Sequence, residues 1–328
     1  MVRAARFCLS CPGLRHAGTA ILTAALALSG CAVPPAETPA GAATPAAAPP
    51  PEPVRLALPP SPDADEISSY FARLEAQRLA SGLLRRERAP RDLPYSARDL
   101  EEAFVRIALF EEHAFVGGRI IERTTPSSLR RWEAPVRMRL EFGASVPDAR
   151  RRADTAFVRS YAARLQQLSG HPVSLVEERG NFQVLVLSED ERRAIGPRLQ
   201  QLVPGIDSVT LDLVRDLPLT VSCLVLAFSR SGTDVYTDAL AIIRAELPDL
   251  SRRACYHEEL SQGMGLPNDH PRVRPSLFND TAEFAVMTAL DEQLLRILYD
   301  PRLRPGMRER EARPIIRQIA SELMGGES

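Results

Sequence analysis

The chain has 328 residues, 45% apolar and 25% charged, a balance that can bury a core and fill one large or two modest domains. Its formal net charge is −1, and all 41 basic residues are arginine. A lysine nucleophile, a Schiff base and a lysine-dependent phosphate loop are therefore excluded.

Residues 1–30 have the make-up of a leader. Arg3, Arg6 and Arg15 supply a basic start, and residues 20–28 a short apolar run. Leu28-Ser29-Gly30-Cys31 resembles the lipobox of bacterial lipoproteins. That resemblance implies cleavage before Cys31 and acylation of its sulfur. The acyl chains would then anchor the protein to a lipid bilayer, at ~0.8 kcal/mol per buried methylene. Ala32 follows where an aspartate would favour the inner membrane, which points to the outer membrane, facing the periplasm. Beyond the leader no apolar run approaches the ~18 residues of a spanning helix. Without the leader the chain carries 38 basic and 42 acidic residues, a net charge near −4. No basic excess remains to neutralise phosphates, which argues against a nucleic-acid partner.

Cys8 and Cys11 fall in the leader and Cys31 would carry lipid. Cys223 and Cys255 remain, an even pair in an oxidising compartment, and they are expected to form a disulfide. Residues 31–65 are rich in alanine and proline, with eleven of the 28 prolines lying from Pro34 to Pro62. Such a segment cannot bury enough apolar surface to fold and is expected to be a disordered tether.

Residues 66–128 are expected to be a helical region. Ile67, Phe71, Leu74, Leu79 and Leu83 recur near a 3.6-residue period over residues 65–88. Ser96 and Asp99 form a capping-box pair that opens a second helix, through Leu100, Phe104 and Ile107, with Gly117-Gly118 closing the region. The two are expected to pack as a helical hairpin against the main domain, residues 129–328.

That domain reads as α+β. Residues 136–142 alternate apolar and polar as a half-buried strand does. A helix from Pro147 to about residue 168 is stopped by Gly170. Strands at 173–176 and 182–187 are joined by a turn at Arg179-Gly180-Asn181, and Ser188 caps a helix running to about residue 202. Strands at 221–228 and 235–243 precede a helix at 250–264, and residues 309–324 form a terminal helix.

The helix at 250–264 carries Cys255-Tyr256-His257-Glu258-Glu259-Leu260-Ser261-Gln262-Gly263-Met264-Gly265-Leu266-Pro267-Asn268-Asp269. It resembles the active-site helix of metzincin zinc proteases, in which two histidines at i and i+4, a glutamate after the first, a helix-ending glycine and a further ligand hold and activate the metal site. With Gly265 on the family glycine, Glu258 and Gln262 stand at the two histidines, Glu259 at the general base and Asn268 at the third ligand. Reading His257-Glu258 as the start instead puts Ser261 at the second histidine. Ser276-Leu277-Phe278 stands at the family's methionine turn, with Phe278 replacing the methionine. Thr288, Asp291 and Leu298-Tyr299 match the following helix, and Thr288 with Asp291 is an N-cap pair by itself. The strand and helix order matches the N-terminal half of a zincin-like domain.

The resemblance implies a zincin (metzincin)-like mixed sheet whose zinc ligands have been replaced, and so a binding or structural role. Its partner would be a peptide, an envelope protein or a cell-wall component. The alternative keeps a divalent metal on oxygens, from Glu258, Gln262 and Asn268 or Asp269, with Glu259 as the base of a metal-dependent hydrolase. Leu-Pro-Asn-Asp with Leu-Tyr-Asp-Pro-Arg-Leu-Arg-Pro-Gly-Met further resembles an uncharacterised bacterial lipoprotein family, a domain of unknown function. Arg302 and Arg304 of that last stretch could clamp a carboxylate or pair with surface acids.

Overall fold

Strand content that is apolar at every position needs cover on both faces of its sheet, and this sheet has it. The computed structural model describes residues 6–11, 63–116, 119–230 and 232–325. Cys31, most of the expected leader and the expected tether up to residue 62 lie outside the described residues.

The central strands are β5 (Val136–Phe142), β6 (Val173–Leu175), β7 (Phe182–Leu187), β8 (Cys223–Arg230) and β9 (Val235–Arg244). They run in the order β8-β9-β7-β5-β6. β8 and β9 are antiparallel, whereas the β9–β7, β7–β5 and β5–β6 pairs are parallel. β1 (Arg6–Cys11), inside the expected leader, pairs parallel with β8 at the sheet edge, and β4 (Arg131–Trp132) pairs with the start of β9.

The two-residue strand period divides the apolar side chains between two cores. Val184, Val186, Val225, Ala241 and Ile243 face the larger core. It also takes in α3 (Asp148–Ser169), α7 (Asp249–Gln262), α8 (Ala289–Leu298) and α9 (Glu309–Leu323). Leu185, Leu187, Leu224, Leu226, Leu240 and Ile242 face a smaller core. That face is covered from α5 (Gly196–Leu202) and α6 (Ser208–Arg215), through Leu199 and Val214.

Several expectations are corrected. The strands at 173–176 and 182–187, expected only to be joined by a turn, both lie parallel to β5, one on each side of it. The expected helix from Ser188 to residue 202 is two helices, α4 (Glu189–Arg193) and α5, interrupted ahead of Gly196-Pro197. A proline at N1 or N2 starts a helix more readily than it continues one. The two N-terminal helices do not form a hairpin. α1 (Ala64–Ala80) and α2 (Ala97–Ala108) are separated by a segment in which Arg85 bridges to Phe284. The main partners of α2 are α9 and α8. After α2 the chain forms β2 (Phe110–Val116) and β3 (Arg119–Pro126), an antiparallel pair where a helix end was expected.

Other expectations hold. Ser96 and Asp99 form the capping box of α2, and Gly170 ends α3 in the left-handed conformation. Cys223 and Cys255 are disulfide-bonded, with Cα atoms 5.9 Å apart across 32 residues of sequence. Closing a loop of that length stabilises by about 3–4 kcal/mol in the chain-entropy picture.

A buried ion pair holds α7 on α3. Arg252 Nε donates to Asp154 Oδ2 at 2.9 Å and Tyr256 Oη donates to the same oxygen at 3.1 Å. Asp154 and Arg252 are 3% and 2% exposed, so breaking the pair would strand a charge in the core. We expect Asp154→Ala to cost about 3–5 kcal/mol in urea denaturation; a loss below about 1 kcal/mol would contradict this account of the helix's anchoring.

Candidate functional site

Helix α7 has a mutual arrangement of faces that decides what the motif can do. Pro248 offers no side-chain cap, and Glu75 of α1 supplies one: its Oε2 accepts from Ser251 N at 2.8 Å and Ser251 Oγ at 2.7 Å. A carboxylate there also opposes the positive end of the helix dipole. Arg252, Tyr256, His257 and Ser261 turn toward α3. Tyr161 Oη lies 2.6 Å from Ser261 Oγ and donates to the His257 carbonyl at 3.0 Å.

His257 packs edge-on against Phe157 and Tyr161, and its Nδ1 accepts from Met287 N at 3.5 Å. Burial pulls its pKa down to about 4, with Arg88 acting in the same direction. The imidazole is a neutral packing group on the face that looks away from the carboxylates.

The opposite face bears Cys255, Glu258, Glu259 and Gln262, spaced i, i+3, i+4 and i+7. Glu258 is half-buried and lines a pocket of about 60 Å³ together with Arg78, Ser222, Asp269, Asp280 and the disulfide. Burial works against the charge of Arg78, and the nearby Glu258 carboxylate supports it. Glu259 is fully buried. Carboxylate oxygens of Glu258 and Glu259 and Sγ of Cys223 all lie within 4.8 Å of one another.

The exit from α7 is fixed by packing. Trp132 Nε1 donates to the Gly263 carbonyl at 2.8 Å, and Tyr299 Oη to the Met264 carbonyl at 3.0 Å. Gly265 has φ +126°, and a Cβ there would stand 2.3 Å from the Arg130 carbonyl oxygen. Both the conformation and the space require glycine.

Asn268 then closes α2. Its backbone N donates to the Ile107 carbonyl at 3.1 Å and its Nδ2 to the Arg106 carbonyl at 2.7 Å, supplying partners for carbonyls of the last turn. Gln262 Nε2 donates to Asp269 Oδ1 at 3.3 Å. The oxygens Gln262 Oε1 and Asn268 Oδ1 are buried and accept no hydrogen bond among the described residues.

The structure thus gathers Glu258 and Asp269 around one pocket, sets Glu259 beneath them and joins Gln262 to Asp269. Asn268 is committed through its nitrogens to α2. These residues do not fit a catalytic zinc: the ligand positions offer carboxyl and amide oxygens, and the His257 imidazole is turned toward α3.

Arg78, Ser222 and Asp280 completed the pocket without a local sequence signal, since they come from α1, the approach to β8 and the turn after Phe278. Asp280, at φ +64°, carries one faint mark, being a residue type that tolerates the left-handed region. Arg302 is engaged by Asp300 and Glu322, at 2.9 and 2.7 Å, as a surface ion pair.

Beneath the site, Ser276-Leu277-Phe278 is tied to α8. Asp291 accepts from Ser276 Oγ, Leu277 N at 3.0 Å and Thr288 N at 2.8 Å, and completes a capping box with Thr288. Asp291 is fully buried, and burial raises its pKa to about 6 against the opposing effect of those hydrogen bonds. The folded state therefore holds this proton more tightly than the unfolded chain does. The associated stability is fully present below the unfolded value near 4 and is lost as pH rises to about 6. Relative to Asp291→Asn, the native chain should lose on the order of 3 kcal/mol across that window. Parallel pH–stability profiles for the two proteins would refute the assignment.

Comparison with known proteins adds a family to this geometry. No curated protein matches the chain, and no solved structure matches it. A family model described as a protein of unknown function does match, over residues 97–318, which runs from the start of α2 into α9 but leaves α1 and its Arg78 outside. The chain belongs to that family, DUF2927.

Proposed function

We propose that this chain is a lipid-anchored cell-envelope protein whose zincin-like domain binds a partner in the periplasm and does not hydrolyse it. Leu28-Ser29-Gly30-Cys31 supports the anchor, and the proline-rich residues that follow support a tether reaching from the membrane. The zincin-like reading rests on the β-α-β-β-α-α-α-β-β-α order from β5 to α7, the glycine exit of α7 and the Ser276–Asp291 turn.

A binding role rests above all on how the motif's polar groups are used. Asn268 closes α2, Gln262 joins Asp269, and His257 packs on α3. The candidate partner is a peptide, an envelope protein or a cell-wall component, met at the outer membrane's inner face.

The lipid anchor predicts that metabolically supplied palmitate labels the native chain and not Cys31→Ser, which should be released to the soluble periplasmic fraction. Equal labelling of both would remove the anchor.

A second reading is favoured by one observation, the pair of buried amide oxygens at Gln262 and Asn268 that accept no hydrogen bond among the described residues. They could face a cation held with Glu258 or Asp269, with Glu259 as base in a metal-dependent hydrolase. One preparation separates the readings. The binding role predicts no peptidoglycan or casein hydrolysis above that of Glu259→Gln, and less than one-tenth equivalent of metal by elemental analysis. Hydrolysis abolished by Glu259→Gln, with stoichiometric metal, would establish the second reading instead.

A further inference from the structure

The disulfide and the motif's carboxylates form one cluster. Cys223 Sγ and a carboxylate oxygen each from Glu258 and Glu259 lie within 4.8 Å of one another, and Cys255 is bonded to Cys223. Three of the four residues come from one face of α7, and Cys223 begins β8. The pocket beside them is lined by both cysteines, Glu258 and Ser222, whose buried hydroxyl makes no hydrogen bond among the described residues.

While the sulfurs are bonded they are neutral and poor ligands. Cleaving the bond alters the chemistry of the cluster, because two thiolates beside two carboxylates would repel one another strongly. A cation removes that repulsion, and thiolate sulfur selects a soft or borderline ion over calcium or magnesium.

We propose that the Cys223–Cys255 disulfide is a redox latch over a zinc site formed by Cys223, Cys255, Glu258 and Glu259. A dithiol reductant gives two electrons and two protons to the disulfide and itself closes to a disulfide, leaving two thiols. Zinc binding then displaces both thiol protons to solvent. With Zn–S near 2.3 Å and Zn–O of about 2.0–2.2 Å, tetrahedral ligand atoms stand roughly 3.6 Å apart. Cys223 Sγ and the Glu258 and Glu259 oxygens, within 4.8 Å of one another, already stand near that spacing. Four protein ligands leave no open position, so the ion would replace the disulfide as the staple between β8 and α7. This site differs from the oxygen-only set, because both sulfurs are required and only the reduced chain can hold the metal.

Cobalt(II) reports the site directly, through the near-ultraviolet charge transfer of a cobalt–thiolate bond and the visible bands of tetrahedral cobalt. The detergent-solubilised full chain is titrated with cobalt before and after reduction by a phosphine, which is removed without air. The reduced chain should bind one equivalent with both sets of bands and yield it to zinc, and the oxidised chain should show neither. Glu258→Gln, at a half-buried position, should weaken cobalt binding to the reduced chain at least ten-fold. Any one of four results overturns the proposal: no thiolate band after reduction, equal cobalt binding by the oxidised chain, unchanged affinity in Glu258→Gln, or a reduced chain whose far-ultraviolet circular dichroism is lost and not restored by zinc.

Discussion

Helix α7 can be polar and buried on opposite faces only because each face is fastened to a different element. On one side Arg252 and Tyr256 share the Asp154 carboxylate of α3; on the other Cys255 is bonded to β8. Its first turn is capped from α1 through Glu75, and the carbonyls just past its end, of Gly263 and Met264, receive Trp132 and Tyr299. A buried ion pair is a poor source of stability compared with an apolar contact, yet it is costly to break and specific in direction. Here that specificity sets the rotation of the helix, and the rotation decides that carboxylates, and not the imidazole, border the pocket.

The same fastening explains why the motif's polar groups have duties elsewhere. Asn268 supplies the acceptor-rich end of α2 with donors, and Asp291 gathers the Ser276 turn onto the start of α8. Helix ends buried in a core must find partners. In this chain side chains that resemble ligand positions provide some of them. The corner is then held rigidly by groups that a reacting site would need to leave available.

Much of the strand and helix content was legible because it rests on local rules. Alternation gave β5, glycine stopped α3, and serine or threonine three residues ahead of aspartate marked α2 and α8. The disulfide followed from counting cysteines. What could not be read were relations between distant segments. A glycine turn separates β6 and β7 in sequence, but in the sheet β5 lies between them. The β2–β3 pair was hidden behind a helical pattern that continued in composition past Ala108. Arg78, 180 residues before Glu258 in sequence, reaches the pocket only through the tertiary packing of α1.

Gly265 shows what a recognisable signature can and cannot report. The Arg130 carbonyl fills the space where its side chain would begin, and a backbone atom cannot step aside as a flexible side chain can. Glycine is required here as long as the main chain just ahead of β4 and the exit of α7 keep touching. The most legible letter of the motif therefore records a contact between two stretches of main chain. Any side chain at this position would have to push that main chain away, whatever the polar groups beside it do.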